Sequence, residues 1–200
     1  MTDGGSNLHL ATSAQMWSRA EEAFESGDLA GALFMFKKIY QEGYPEALVE
    51  IGNIYEQGGG GVEKDIDEAI KFYKKSIVAC DDPLAHMAFG RLLLRIAKKQ
   101  ADFEIARAHF QKCVLQDEVG AIFGMGLIYD KGLGVEVDKE KAISFYNTAS
   151  EKGHITAEAY KNRIVFERNR FKGLVPLVLS LFKVIGVSIK NPTDKRLGIR

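Results

Sequence analysis

The stretch GNIYEQGGGGVEKDIDEAIKFY at residues 52–73 and the stretch GLIYDKGLGVEVDKEKAISFY at residues 126–146 are two copies of one pattern. Seven positions match in the same order: Gly52 and Gly126, Tyr55 and Tyr129, Gly58 and Gly132, Val62 and Val135, Asp65 and Asp138, Ala69 and Ala142, and Tyr73 and Tyr146. A degenerate copy lies between them and keeps four of the small and aromatic positions, at Ala85, Gly90, Ala106 and Phe110. Such self-similarity is typical of a repeat protein.

Two series of alanines give the period of the repeat. The first series consists of Ala47, Ala85, Ala121 and Ala157, which are spaced by 38, 36 and 36 residues. The second consists of Ala32, Ala69, Ala106 and Ala142, which are spaced by 37, 37 and 36 residues. Because the two independent series share one period, they predict a repeat array of about four units and a half-unit over residues 14–170.

Each unit is predicted to form two helices. In the first half of a unit, Leu48, Ile51, Gly52 and Tyr55 fall at i, i+3, i+4 and i+7, which places them on one apolar stripe of a helix. Before the second half, Asp65 is a residue type that caps a helix N-terminus. The predicted structural positions, where neighbouring helices pack, are Gly52, Tyr55, Gly90, Gly126, Tyr129, Ala69, Ala106 and Ala142.

The glycine run at residues 58–61 is predicted to be a loop between two helices. A phosphate-binding loop needs GxxxxGK[ST] between a strand and a helix, whereas this run follows a predicted helix, and Asp65 follows the only nearby lysine. Glycine suits the end of a helix because it adopts left-handed backbone angles without strain. A loop of this length is expected to tolerate Gly60→Ala far better than a packing position tolerates a larger residue.

The two clear copies resemble the Sel-one-like repeats, a subset of the tetratricopeptide-like helical solenoids. The copy at residues 126–146 carries the G-x-x-Y-x-x-G-x-G-V, D-x-x-x-A and F-Y elements of that family. The unit that begins at Trp17 has a short Ser-Gly-Asp turn and is more similar to an ordinary tetratricopeptide repeat. The resemblance covers residues 14–167 and implies an all-α fold, a right-handed α-solenoid of helix–turn–helix repeats. It also implies that the protein is a scaffold or adaptor.

Charge is distributed unevenly, although Lys plus Arg and Asp plus Glu both number 27 in the whole chain. Residues 161–200 contain ten basic and two acidic residues, a net charge of +8, so residues 1–160 carry −8. The N-terminus has neither a basic region nor a continuous apolar region of the kind found in secretory signals, so the cytoplasm is the predicted location. Cys80 and Cys113 are too few for a disulfide framework and are predicted to be small core residues.

The sequence predicts no enzyme, no cofactor, no metal and no nucleic-acid partner. The four histidines are scattered, and none has the spacing of a metal site or of a catalytic triad. His86 and His109 lie within predicted repeat helices, where a packing role is expected. The aromatic residues recur at repeat positions, which favours a core over a surface that stacks on bases.

The predicted partner-binding groove lies on the first helix of each unit, as is usual for solenoids. Gly52, Gly90 and Gly126 occupy the same position in their repeats, which we call the glycine slot. The positions three before, one after and four after the glycine slot share the side of the helix that faces away from the packing stripe. The groove residues predicted in this way are Glu22, Glu25, Asn53, Glu56, Met87, Arg91, Leu94, Phe123, Leu127, Asp130, Arg163 and Phe166. The N-terminal half of this groove is acidic, and the C-terminal half is apolar.

Residues 171–190 form a predicted apolar helix after the array. Three alternatives remain open for it: a membrane-spanning helix, a helix that lies in a membrane interface, and a helix that docks on the chain or on a partner. Lys183 in its middle disfavours spanning. The third alternative predicts that residues 174–189 fold back over Phe123, Leu127 and Phe166.

The predicted organisation is a disordered segment at residues 1–13, the array at 14–170, the apolar helix at 171–190 and a flexible basic tail at 191–200. The predicted function is a non-enzymatic scaffold that binds a peptide or helix of another protein in its concave groove. The alternative is a peripheral membrane protein, anchored to an anionic surface through residues 171–190. An enzyme that acts on a bound peptide is a third hypothesis.

Overall fold

A computed structural model describes residues 4–169, 176 and 178–184, with side chains from residue 13 onward. Over residues 4–169 the chain forms nine α-helices: α1 (Gly4–Ser26), α2 (Leu29–Gln41), α3 (Ala47–Gln57), α4 (Ile66–Cys80), α5 (Pro83–Ile96), α6 (Gln100–Val114), α7 (Val119–Lys131), α8 (Lys139–Glu151) and α9 (Ala157–Arg168). Residues 178–184 are also helical, and the described residues contain no strand. The all-α prediction is confirmed.

Aspartate caps begin the second helices of three units. The side chain of Asp65 accepts a hydrogen bond from the backbone N–H of Glu68 at 2.9 Å, as predicted, and Asp28 and Asp138 make the same bond at α2 and α8. Each bond satisfies one of the N–H groups that a helix leaves without an internal partner. At the N-terminus, α1 begins at Gly4, so most of the segment predicted to be disordered is helical. Residues 6–13 contain neither proline nor glycine, which lets the helix extend backwards.

The chain divides into two compact units, Met1–Ala88 and Phe89–Arg200. In the first unit, α1, α2 and α3 enclose a core in which Phe36, Ile39 and Ile51 are almost completely buried. Trp17 packs edge-on against Phe36, with ring centroids 5.5 Å apart. Long apolar side chains from three helices therefore meet in one layer.

The second unit repeats this arrangement with α7, α8 and α9. Its largest fully buried side chains include Phe110, Ile128 and Tyr146. Cys113 is buried, which confirms its predicted core role. Cys80 is exposed, and the same prediction is wrong for it. Because α4 ends at Cys80 itself, this side chain lies at a helix end and not on the apolar stripe.

The predicted packing positions lie where helices touch. A Cβ atom on Gly52 would lie 2.6 Å from Cε1 of Tyr73, and one on Gly126 would lie 2.5 Å from Cε1 of Tyr146. The tyrosine three residues after the glycine is also packed, since the ring of Tyr129 stacks on the ring of Phe145 with centroids 5.7 Å apart. Ala69, Ala106 and Ala142 are completely buried, and Tyr55 stacks on Phe72. Small residues at these positions let a tyrosine ring lie flat against the facing helix.

The glycine run at residues 58–61 packs against the start of α2, which is the second helix of the preceding repeat. All four glycines have positive φ, between 53° and 96°. The carbonyl of Gly60 accepts a hydrogen bond at 3.0 Å from the N–H of Ala30, which is one of the free N–H groups in the first turn of α2. A Cβ on Gly60 would overlap the carbonyl oxygen of Gly27 and lie 2.7 Å from the backbone nitrogen of Leu29. The loop therefore caps a helix as well as connecting two.

This packing reverses the expectation that Gly60→Ala is mild. We expect the substitution to lower the free energy of unfolding by about 2 kcal/mol or more, because backbone atoms cannot move aside and φ is positive. Gly59→Ala is the matched control: its φ is also positive, but nothing lies within 4 Å of its Cβ position. Urea unfolding followed by circular dichroism measures both. If Gly59→Ala costs more than Gly60→Ala, the loop does not pack as described.

Candidate functional site

The structure sorts the predicted groove residues into three classes of exposure. Glu22 and Glu25 are exposed. Seven others are partly exposed: Asn53, Met87, Arg91, Leu94, Leu127, Arg163 and Phe166. The remaining three, Glu56, Phe123 and Asp130, are buried, with 7, 3 and 2 % of their surface exposed. For these three buried residues, the prediction of an exposed groove side chain was wrong.

Phe123 belongs to the core of the second unit, so its prediction as a groove residue is wrong. Its ring stacks on His154 with centroids 4.1 Å apart and packs against Tyr146 and Tyr160 at 5.5 and 5.1 Å. Burial lowers the pKa of His154 to about 4, so this histidine is neutral at physiological pH. The apolar side chain at position 123 therefore packs between α7, α8 and α9 and offers no surface to a partner.

Glu56 and Asp130 occupy the same repeat position and are each held by a tyrosine of the following helix. The hydroxyl of Tyr73 lies 2.7 Å from Oε2 of Glu56 and 2.8 Å from Oδ1 of Asn53. The hydroxyl of Tyr146 lies 3.4 Å from Oδ2 of Asp130. Both carboxylates are thus internal hydrogen-bonding groups and not the solvent-facing charges that the sequence predicted, although Asp130 also borders the pocket described below.

In the second unit two cations neutralise the buried carboxylate of Asp130. Nζ of Lys139 lies 2.7 Å from Oδ1, and the guanidinium of Arg163 pairs with Oδ2. Burial, followed by the charge of Asp130, raises the pKa of Tyr146 well above its usual value, so the phenol stays protonated. A buried carboxylate with two cations and one hydroxyl has the partners that compensate its lost hydration.

The tyrosine and the carboxylate change together along the chain, which sequence reasoning missed. In the degenerate copy, Phe110 replaces the tyrosine and Leu94 replaces the carboxylate. In the first repeat, formed by α1 and α2, Phe36 lacks the hydroxyl, and the equivalent Glu25 is exposed. Among the residues that the structure describes, a buried carboxylate therefore occurs only where the next helix supplies a hydroxyl. The paired substitution in the degenerate copy was the signal that could have revealed it.

A pocket of about 550 Å³ lies between α7 and α9 in the second unit. We call it the α7–α9 pocket; its lining residues are Asp130, Lys131, Lys139, Ala159, Tyr160, Arg163 and Leu181. Two of these, Asp130 and Arg163, are predicted groove residues. Three cations and one carboxylate make the lining basic, and Ala159, Leu181 and the Tyr160 ring add apolar surface. The pocket suits an acidic segment that carries an apolar side chain.

The described part of the tail does not bury its apolar side chains. Within residues 178–184, Ser180 is buried, and Nζ of Lys183 lies 3.6 Å from Oε2 of Glu158 on α9. Val178, Leu179, Leu181 and Phe182 remain 41, 65, 47 and 67 % exposed. Leu181 does line the α7–α9 pocket beside Asp130 and Arg163, but Phe123 is covered by Tyr146, His154 and Tyr160 of the second unit and not by the described part of the tail. The rest of residues 174–189 and the segment 191–200 lie outside the described residues.

No described helix has both the length and the apolar character needed to cross a bilayer. Among the described residues, no group of three or more His, Cys, Asp or Glu side chains is arranged to hold a metal ion.

Helix pairs with a fixed period, packed through glycine slots and connected by glycine loops, define an α-solenoid. Residues 45–77 and 119–154 match the family model of the Sel1 repeat. The chain therefore carries Sel1 repeats, and the resemblance found in the sequence is confirmed. Both matches coincide with the two copies that have the glycine loop and the tyrosine–carboxylate pair.

Individual relatives agree with this assignment. A Sel1 repeat protein of Oxalobacter formigenes superimposes with a TM-score of 0.64 at 27 % identity, over 87 % of this chain and 69 % of that one. A protective antigen of uropathogenic Escherichia coli that displays the same fold gives a TM-score of 0.67 at 23 % identity, over 84 % and 38 % of the two chains. In sequence, the chain is 26 % identical to cytochrome c oxidase assembly factor 7A of Xenopus laevis, over 76 % of this chain and 66 % of that protein.

Proposed function

We propose that this chain is a non-enzymatic adaptor that binds a segment of another protein on the first helices of its repeat units. Sel1 repeat proteins typically act as protein–protein interaction scaffolds and are generally non-catalytic. The observation that carries the proposal here is the α7–α9 pocket, which is open between two consecutive first helices. Partner binding between first helices is the usual use of a solenoid surface.

The charges of the two units give the chemistry of the partner. In the first unit, Glu22 and Glu25 are exposed on α1 and suit a basic segment. In the second unit, Lys131 is exposed beside Arg163 in the α7–α9 pocket and suits an acidic one. A partner with oppositely charged segments would satisfy both. The name of the Xenopus relative refers to assembly of cytochrome c oxidase, which supports an adaptor that assists the assembly of a protein complex.

The alternative that the sequence left open, attachment to a membrane through residues 171–190, depends on a different surface from the first helices. The cytoplasmic location stays a prediction of the sequence.

Affinity capture with the intact protein, followed by mass spectrometry, tests the adaptor function. The test variant combines Lys131→Glu, Glu22→Lys and Glu25→Lys, which reverse the charges of exposed residues on the first helices. We expect this variant to lose one protein that the unaltered chain captures. Charge reversal at exposed positions of the second helices, Lys71→Glu and Glu104→Lys, is the matched control and should leave capture unchanged. Equal loss in both sets, or no protein captured specifically by the unaltered chain, would contradict the proposal.

A further inference from the structure

The described part of the tail exposes a continuous apolar surface. We call Val178, Leu179, Leu181 and Phe182 the tail face; their side chains are 41–67 % exposed. Isolated exposed apolar side chains are common on soluble proteins, but four within five residues form a patch that usually marks an interaction surface. The tail face differs in this respect from Phe34 on α2, which is equally exposed but stands alone on its helix.

The orientation of residues 178–184 is set by polar contacts with the second unit. Ser180 is buried, and the ammonium of Lys183 lies 3.6 Å from the carboxylate of Glu158. At about 100° per residue, the four residues of the tail face span an arc of about 160°, and Ser180 lies on the opposite side. The segment therefore contacts the second unit with its polar side and presents Val178, Leu179 and Phe182 outward, whereas Leu181, at the edge of the tail face, also lines the α7–α9 pocket.

The charge of the sequence that flanks the tail face indicates what covers it. Residues 161–200 carry ten basic and two acidic side chains. Basic residues beside an exposed apolar helix face are typical of segments that lie in the interface of an anionic bilayer, where apolar groups enter the headgroup region and cations meet lipid phosphate and carboxylate. A second copy of the chain would bring an identical excess of positive charge to the same contact, which opposes self-association through this face.

We propose that the tail face inserts into the surface of an anionic lipid bilayer and attaches the second unit to it. The apolar side chains provide the insertion, and the basic residues that flank the segment in the sequence provide selectivity for anionic lipid. Because Val178, Leu179 and Phe182 are exposed, their insertion needs no release of the polar contact between Lys183 and Glu158. The tail face shares Leu181 with the lining of the α7–α9 pocket, but Leu179 and Phe182 do not line that pocket, and none of the substituted first-helix residues belongs to the tail face, so the two proposals are tested separately.

Vesicle flotation with the full chain tests the proposal. The vesicles contain phosphatidylcholine alone or with phosphatidylserine at about 30 mole per cent. We expect binding to the anionic vesicles, at least tenfold weaker binding to the neutral ones, and partial weakening of anionic binding when salt is raised. Leu179→Glu with Phe182→Glu should reduce anionic binding at least tenfold. Both side chains are about two-thirds exposed, so the fold should survive, and circular dichroism checks this.

Phe34→Glu is the matched control, since Phe34 is 70 % exposed in the first unit, and its binding should equal that of the unaltered chain. A Phe182→Trp variant adds a direct readout: bromine-labelled lipid chains should quench the emission that this residue adds. The proposal is overturned if the unaltered chain does not float with anionic vesicles, or if the Leu179→Glu and Phe182→Glu variant floats equally well. It is also overturned if the same variant instead abolishes a dimer of the unaltered chain in solution.

Discussion

Gly126→Leu should lower the free energy of unfolding of the second unit by about 3 kcal/mol, at the upper end of the usual cost of overpacking. Even a single Cβ at this position would lie 2.5 Å from Cε1 of Tyr146. The tyrosine has no room to retreat, because its ring also packs against Phe123 and Tyr160 at centroid distances of 5.5 and 5.6 Å. A leucine must therefore displace α8 from α7.

The degenerate copy provides a graded control for this prediction. A Cβ on Gly90 would lie 3.2 Å from Cε2 of Phe110, a contact that a small shift relieves. Replacing a helical glycine with alanine also gains about 1 kcal/mol of helix propensity. We therefore expect Gly90→Ala to be within about 1 kcal/mol of the unaltered protein and Gly126→Ala to be clearly destabilised. Urea denaturation curves that show equal stability for the two alanine variants would mean that the glycine slots are not helix contacts.

Removing both cations from Asp130 should cost about 3 kcal/mol, because a lone carboxylate would stay buried. The double variant Lys139→Ala and Arg163→Ala leaves Asp130, which is 2 % exposed, with only the hydroxyl of Tyr146 at 3.4 Å. Adding Asp130→Leu should restore most of the loss, since it removes the unpaired charge and copies the leucine of the degenerate unit at position 94. Thermal unfolding of the unaltered, double and triple variants measures both steps.

An exposed ion pair provides the control for the buried network. Arg168 pairs with Glu140, and both side chains are largely exposed, so Arg168→Ala should change stability by less than about 0.5 kcal/mol. If Arg168→Ala lowers stability as much as the double variant does, the lost stability comes from removing positive charge in general and not from leaving a buried carboxylate unpaired. A triple variant that is less stable than the double variant would contradict the assignment of Asp130 as a buried internal charge.

The repeat period and the helix pairs could be predicted from the sequence because local rules determine them. Glycine and alanine at fixed intervals, and aspartate before three of the four second helices, depend on contacts within one repeat. Gly52 and Gly126 were assigned to helix contacts, and both lie against a tyrosine ring. The same local reasoning failed for Gly60, because its close neighbours, Gly27 and Leu29, lie in the preceding repeat.

The groove could be predicted only in part, because helical spacing gives the side of a helix but not what covers it. Phe123 lies at a groove position, yet His154 and Tyr160 from beyond α8 cover it. Helical spacing predicted that the carboxylates of Glu56 and Asp130 face solvent, because it does not show the tyrosine hydroxyls that the next helix places beside them. For the tail, composition predicted a helix that hides its apolar side, whereas in its described part only Leu181 lines the α7–α9 pocket, and Leu179 and Phe182 are exposed.

Site-specific photo-crosslinking tests most directly whether the first helices bind another protein. A photoreactive amino acid replaces Glu22 on α1 or Lys131 on α7, and the comparison positions are Lys71 on α4 and Glu104 on α6, all of them exposed. The adaptor account predicts that positions 22 and 131 crosslink to the protein captured by the intact chain, and that positions 71 and 104 do not. Crosslinking to that protein from positions 71 and 104 alone would contradict the account.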